Sequence, residues 1–149
     1  VQSLRSLGVH PHFLANSLKG VVSQRLIRTL DPATKLVAST VDDAFDPFEE
    51  VRHLLKPDEG KALYAPVVAE ANQMSGYTGR AGLFEVMAMS RELRNLIADN
   101  APTRQIRDKA VEQKMVPFRQ SALLKVARGE TTSEEVFRVI PHEQITEEE

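Results

Sequence analysis

The sequence predicts a helix-rich α/β fold with a small insert, on three observations. Amphipathic helical spacing recurs from Ser90 onward; two stretches, RLIRTL and GLFEVMAM, have the apolar texture of strands; and an acidic, proline-punctuated segment lies between them. At 149 residues, 42% of them hydrophobic, the chain is long enough for one ordinary domain, or two small subdomains, with a core of its own.

VQSLRSLG sets Leu4 and Leu7 three apart and closes on Gly8, the pattern of a helix with a glycine stop, and one whose beginning is expected to lie further upstream. A second helix is expected from Pro11, a residue suited to a first turn, with Leu14, Leu18, Val21 and Val22 along one face. RLIRTL, residues 25–30, turns toward branched side chains and stops at Asp31 and Pro32, as a short strand does.

Residues 41–60 carry Asp42, Asp43, Asp46, Glu49, Glu50, Asp58 and Glu59 against Arg52 and Lys56. Phe45, Phe48, Val51, Leu54 and Leu55 are expected to line one helix face there, giving the acidic insert a minimal core. A weaker apolar stretch, ALYAPVVAEA, leads to SGYTGRAGLFEV, residues 75–86. Its glycines predict a turn needing positive dihedral angles, and GLFEVMAM a buried strand.

Four helices should follow. Leu93, Leu96 and Ile97 mark the first, Ile106 and Ala110 the second after Pro102, and Phe118, Ala122, Leu123, Val126 and Ala127 the third, which Gly129 stops. The fourth opens on TSEE, where Thr132 can cap the helix and Glu135 can reach back to the cap's own amide. Val136, Val139 and Ile140 would be its buried side. HEQITEEE, residues 142–149, has too little apolar content to fold and reads as a flexible acidic tail.

The net charge of −2 supplies no global field for nucleic acid or an anionic membrane. Cysteine is absent, which removes disulfides, thiolate metal sites and cysteine nucleophiles; a cytoplasmic setting fits. The apolar runs fall far short of the roughly 20 residues that span a bilayer, so the chain is expected to be soluble. His10, His12, His53 and His142 share no metal-ligand spacing beyond His10-Pro11-His12, and no nucleophile elbow or calcium loop occurs.

No GxxxxGK[ST] loop is present, and Gly76, Gly79 and Gly82 do not replace one, because their run lacks the lysine and hydroxyl and precedes a strand. Arg80 admits two readings: a pair with a carboxylate such as Glu85, or an arginine aimed at an anionic ligand at a subunit boundary. Residues 91–128 hold nine bases against four acids, with Phe118 the lone aromatic among them, so that surface is read as solvated or partner-facing rather than as a platform for stacked nucleic acid bases.

Three of these stretches resemble, in order, the ATPases that power type II secretion and type IV pilus assembly. LRSLGVHPHFLANSLKGVVSQRLIRTL, with Gln24, Arg25 and Leu26, is similar to the segment that follows the family's histidine box. GYTGRAGLFEV, with Gly76, Tyr77, Gly79, Arg80, Gly82 and Glu85, resembles its GYxGRxGxxE signature. GETTSEEVFRV, with Gly129, Thr132 and Glu135, resembles its closing motif.

The resemblance implies the C-terminal part of a RecA-like motor domain that assembles as a hexamer beneath inner-membrane secretion or pilus platform proteins. It implies that residues 1–30 complete the core, 31–79 form the insert, and 80–141 form a strand and a C-terminal helical bundle. Core completion, subunit assembly and force transmission are the implied roles, with Gln24, Arg25 and Arg80 near a nucleotide or an interface. ATP and Mg²⁺ belong to the parent, whose phosphate loop, acidic boxes and histidine box precede the matching stretch. The 149 residues are therefore not expected to hydrolyse ATP alone, and no direct nucleic acid contact is implied. The parent is implied to be cytoplasmic and peripheral to the inner membrane. Secretion, pilus extension and DNA uptake share these motifs.

In many members two cysteine pairs flank the insert and hold zinc. The matching positions here are Asp31, Thr34, Ala69 and Asn72, so no zinc is expected and apolar packing should hold the insert together. A reading from another class, a free-standing helical adaptor or nucleic-acid-binding module, uses the basic helices and leaves the three motifs unexplained.

Overall fold

In a computed structural model of the chain the described residues are 1–42, 44 and 46–140, so Phe45 and the tail at 142–149 lie outside them. The chain forms two units, each discontinuous in sequence: Val1–Ser23 with Glu85–Pro117, and Gln24–Phe84 with the chain from Phe118. Two long strands, β1 (Gly20–Leu30) and β4 (Tyr77–Ala88), are hydrogen-bonded neighbours in a two-stranded sheet, and each contributes residues to both units.

The first unit holds α1 (Gln2–Ser6), α2 (Pro11–Ser17), α3 (Arg91–Ala98) and α4 (Thr103–Glu112). Its core is Leu14, Ala15, Met87, Leu93, Ile97, Ala101, Ile106 and Ala110, of which Leu93, Ile97, Ile106 and Ala110 fall at the helical spacings the sequence displays. Arginines close two helix ends. Arg94 donates to the carbonyls of Ala15 and Leu18 at 2.7 and 2.9 Å, and Arg5 donates to those of Ala101 and Ile97 at 2.8 and 3.2 Å.

α2 stops at Ser17, short of the predicted face, and Val21 and Val22 belong to β1 instead. The backbone is already extended at Leu18 (ψ 131°), and the branched pair after Gly20 favours the strand. The His10-Pro11-His12 run proves to be a helix start: Pro11 is the first residue of α2, and His10 Nδ1 accepts the His12 backbone N–H at 3.3 Å.

The second unit holds β2 (Leu36–Thr40), β3 (Ala62–Ala65), a 3-10 helix at Glu49–Leu54, α5 (Phe118–Ala127) and α6 (Ser133–Val139), with residues 24–30 of β1 and 77–84 of β4. β2 and β3 pair antiparallel, Leu36 opposite Ala65 and Thr40 opposite Ala62, with an irregularity between Val37 and Ser39. Ile27, Phe48, Val51, Leu83, Phe118, Ala122, Val126, Val136 and Ile140 form the core.

Of the expected insert face, Phe48 and Val51 are buried, at the cap of a 3-10 helix and within it, in the core that the whole second unit shares rather than in a core of the insert's own, and Leu54 is exposed. α3 and α4 fall in the first unit and α5 and α6 in the second. β4 begins at Tyr77 and so takes in YTGR, with Gly76 in the turn before it. It is buried on one side only: Leu83 and Met87 are buried, while Phe84 and Val86 are exposed at 46% and 51%. The positive-angle reading holds at Gly79 (φ 72°) and at Gly76 (φ 75°), where an added Cβ would lie 2.5 Å from Pro66 Cβ.

Candidate functional site

The site forms where the three sequence motifs meet in the second unit. α6 begins on Thr132, whose hydroxyl accepts the Glu135 N–H at 3.2 Å, as the capping pattern requires. The reciprocal half of the capping box is replaced. Instead of returning to the cap, the Glu135 carboxylate turns to two arginines, because stronger donors stand within reach.

Glu135 Oε1 accepts the Arg28 backbone N–H at 2.8 Å and Arg138 Nη2 at 2.6 Å. Its Oε2 accepts Arg28 Nε and Nη2 at 2.9 and 2.7 Å and Arg138 Nε at 2.8 Å. The Glu135 side chain is 0% exposed. Burial pushes its carboxyl up, but the hydrogen bonds from Arg138 and Arg28 outweigh that and hold it at about 2. The same bonds raise both guanidinium groups above their ordinary value.

Tyr77, from the GYTGR run, lies under the Arg28 guanidinium at 4.4 Å and puts its hydroxyl 2.9 Å from Thr132 Oγ1. Thr131 Oγ1 donates to the Arg28 carbonyl at 2.8 Å, and the Leu30 N–H to the Glu130 carbonyl at 2.8 Å. Strand β1, the start of β4 and the start of α6 are thereby cross-linked around one buried carboxylate.

Beside this knot lies a cleft of about 390 Å³ lined by Leu26, Arg28, Arg80 and Arg138. Three guanidiniums and the single carboxylate of Glu135 give the cluster a formal charge of +2. Arg28 and Arg138 are held by Glu135, whereas Arg80 makes no ion pair among the described residues. Guanidinium groups gathered this way present planar, paired N–H donors suited to the oxygens of a phosphate or carboxylate.

Of the other sequence-predicted residues, Gln24 and Arg25 are exposed on β1 and do not line this cleft. Glu85 pairs with Arg107 in the first unit at 3.6 Å. Gly79 and Gly82 lie within β4. Gly129 (φ 65°) follows α5 and sits against the Tyr64 ring, where an added Cβ would come within 2.7 Å. Asp31, Thr34 and Asn72 come together in the insert, with the backbone N–H of Ala69 beside them.

Arg28 and Arg138 are the members sequence reasoning missed. Period-two alternation from Ile27 puts Arg28 on the open side of β1, and the i, i+3 spacing from Glu135 to Arg138 marks a helix pair; both signals were present.

The donor chemistry at the four cysteine-matching positions does not suit zinc. Ala69 has no side-chain donor, and Asn72 Nδ2 presents hydrogens rather than a lone pair, so the set does not fit a tetrahedral ion. Among the described residues no group of three or more His, Cys, Asp or Glu could hold a metal, and no helix is long and apolar enough to cross a membrane.

The family described as "Type II/IV secretion system protein" matches residues 1–138. Among curated relatives, the type IV pilus assembly ATPase TfpB of Acinetobacter baylyi is 32% identical over 138 residues, 93% of this chain and 23% of its own length. The type II secretion system protein E of Xanthomonas campestris pv. campestris is 34% identical over 93% of this chain and 24% of its own length. The type II secretion system ATPase E of Vibrio cholerae is 33% identical over 93% of this chain and 26% of its own length. The chain spans about a quarter of the length of these relatives.

Proposed function

We propose, from the premise that this chain belongs to the type II/IV secretion system protein family, that it is part of a motor ATPase for protein secretion or pilus assembly and that its arginine cleft receives a phosphate-bearing group. The observation that carries this reading is Arg80: a guanidinium without an ion pair among the described residues, next to two others fixed in place by Glu135.

The cleft suits phosphate oxygens and does not suit Mg²⁺. Its one carboxylate already accepts five N–H groups from Arg28 and Arg138, so no free anionic oxygen is left for a cation. ATP bound to the rest of the motor would supply the phosphate, and this chain would contribute charge and geometry. Arg28 and Arg138 are pre-oriented, which keeps the side-chain ordering cost low, and Arg80 supplies the movable contact.

In this reading the parent is a RecA-like hexamer, cytoplasmic and peripheral to the inner membrane, working against secretion or pilus platform proteins. Arg80 reaches the nucleotide of a neighbouring subunit, while the two apolar cores give the chain the stiffness that transmitting a displacement needs.

The test is ATP turnover by the full-length protein. Arg80→Ala should lower kcat by roughly 100-fold, with Arg80→Lys intermediate, while circular dichroism and oligomer size stay unchanged. Unchanged turnover in Arg80→Ala would remove the cleft from the reaction.

A further inference from the structure

The insert expected to rest on apolar packing also contains a closed polar knot, at the positions where the resemblance calls for metal ligands. Asp31 Oδ2 lies 3.0 Å from Thr34 Oγ1 and 3.1 Å from Asn72 Nδ2, and Asn72 Nδ2 lies 3.1 Å from Thr34 Oγ1. Three side chains thus meet at one point with no gap between them. Asp31 and Asn72 are buried, at 7% and 3% exposure.

The donor inventory of this knot closes. Asn72 Nδ2 carries two hydrogens: one is directed to the Val67 carbonyl at 2.9 Å, the other shared between Asp31 and Thr34. The Thr34 hydroxyl serves Asp31 Oδ2 at 3.0 Å and the Val67 carbonyl at 3.2 Å. Asp31 Oδ1 accepts the Ala33 N–H at 3.0 Å, the leading reason its carboxyl sits below the ordinary value.

The orientation of the amide is fixed by backbone groups. Asn72 Oδ1 accepts the N–H of Ala69 at 2.9 Å and of Gly76 at 3.1 Å; turned over, it would set an amide NH₂ against two N–H donors and its oxygen against the Asp31 carboxylate. Gly76 is held from both sides, since its carbonyl also accepts the Asp31 N–H at 3.2 Å. The knot therefore links the loop after β1, the turn around residue 72 and the glycine that opens the GYTGR run.

We infer that the Asp31–Thr34–Asn72 knot does in this chain the closing work of a bound metal, so that the insert and the start of β4 hold together without zinc and without any thiol. A carboxylate, a hydroxyl and a carboxamide, each satisfied, take the positions of the ligands, and Asn72 is the member on which the others converge. Two consequences follow that zinc closure would not give: the insert is indifferent to chelators and thiol oxidants, and it depends on a single amide side chain.

The test uses the full-length protein purified in the presence of zinc. Metal analysis should find no stoichiometric zinc, and a chelator should leave the thermal midpoint where it was. Native-state hydrogen exchange of the wild type should show the amides of Ala69 and Gly76 slowed by at least about tenfold relative to unbonded loop amides. Asn72→Ala should abolish that protection and lower the midpoint by roughly 5 °C or more. One tightly held zinc per chain whose removal lowers the midpoint would overturn the inference, and so would loop-rate exchange at both amides in the wild type, which needs no variant to fold.

Discussion

Arg28 and Glu135, 107 residues apart in sequence, are joined three times: the Glu135 carboxylate accepts the Arg28 backbone N–H at 2.8 Å and its guanidinium Nε and Nη2 at 2.9 and 2.7 Å. The link fixes strand β1 against helix α6 and aims one wall of the arginine cleft. Because the carboxylate is wholly buried and both arginines are partly exposed, the energetic weight of the contact falls on Glu135.

Removing that charge should therefore cost more than removing either arginine. Glu135→Gln is expected to destabilise the chain by about 2–4 kcal/mol, since it loses charge-assisted bonds in a desolvated place and sets an NH₂ against donors. Arg138→Ala should cost about 1 kcal/mol, because the arginine side chain is 56% exposed and water replaces it. Urea unfolding of both variants checks the ranking.

The same carboxylate should carry part of the acid sensitivity. Its folded value of about 2 lies below its ordinary 4.5, so the unfolded chain takes up the proton first as pH falls. The stabilisation is fully present above about pH 4.5 and is lost between there and pH 2, a contribution of roughly 3 kcal/mol at most. Asp31, Asp46, Glu59 and Glu92 are also held low, so the wild type should keep some acid sensitivity in every case. The expected outcome is that the difference in urea midpoint between wild type and Glu135→Gln shrinks between pH 6 and pH 3.

Glycine substitutions should separate backbone strain from crowding. Gly8 and Gly76 both have positive φ, 81° and 75°, but a Cβ at Gly8 meets nothing within 4 Å whereas one at Gly76 comes 2.5 Å from Pro66 Cβ. Gly8→Ala is expected to cost about 1 kcal/mol, the backbone term alone. Gly76→Ala should cost clearly more and disturb the polar knot as well, as thermal melts and exchange at the Ala69 amide would show.

Two apolar cores make a further contrast. Ile97 and Leu83 are each fully buried, one in each unit. Ile97→Ala and Leu83→Ala should each cost about 2–5 kcal/mol. Hydrogen exchange should rise chiefly in α3 and α4 for the first and around the 3-10 helix, α5 and α6 for the second.

Much of this fold was legible in local signals. Gly129 stops α5, Thr132 caps α6, and Leu93, Ile97, Ile106 and Ala110 bury at their helical spacing. What failed were elements whose pattern is ambiguous or absent. Leu14, Leu18 and Val21 fit a helix face equally well whether or not the helix continues, so the turn into β1 at Gly20 could not be read from spacing. β2 is exposed along its whole length and therefore shows no alternation.

The candidate site was half legible for a related reason. Tyr77, Arg80, Thr132 and Glu135 stand in recognisable motifs, but Arg28 and Arg138 acquire meaning only when β1 and α6 meet. Asn72 reads as the loss of a ligand in sequence, yet in the structure it is the centre of a hydrogen-bonded closure.

The most direct test of the central claim is arginine footprinting of the full-length protein with phenylglyoxal, with and without Mg-ATP under non-turnover conditions. If a phosphate-bearing group enters the cleft, modification of Arg80 slows when nucleotide is present, while that of exposed Arg91 does not change. Equal labelling of Arg80 in both conditions, with nucleotide binding verified in the same sample, would contradict it.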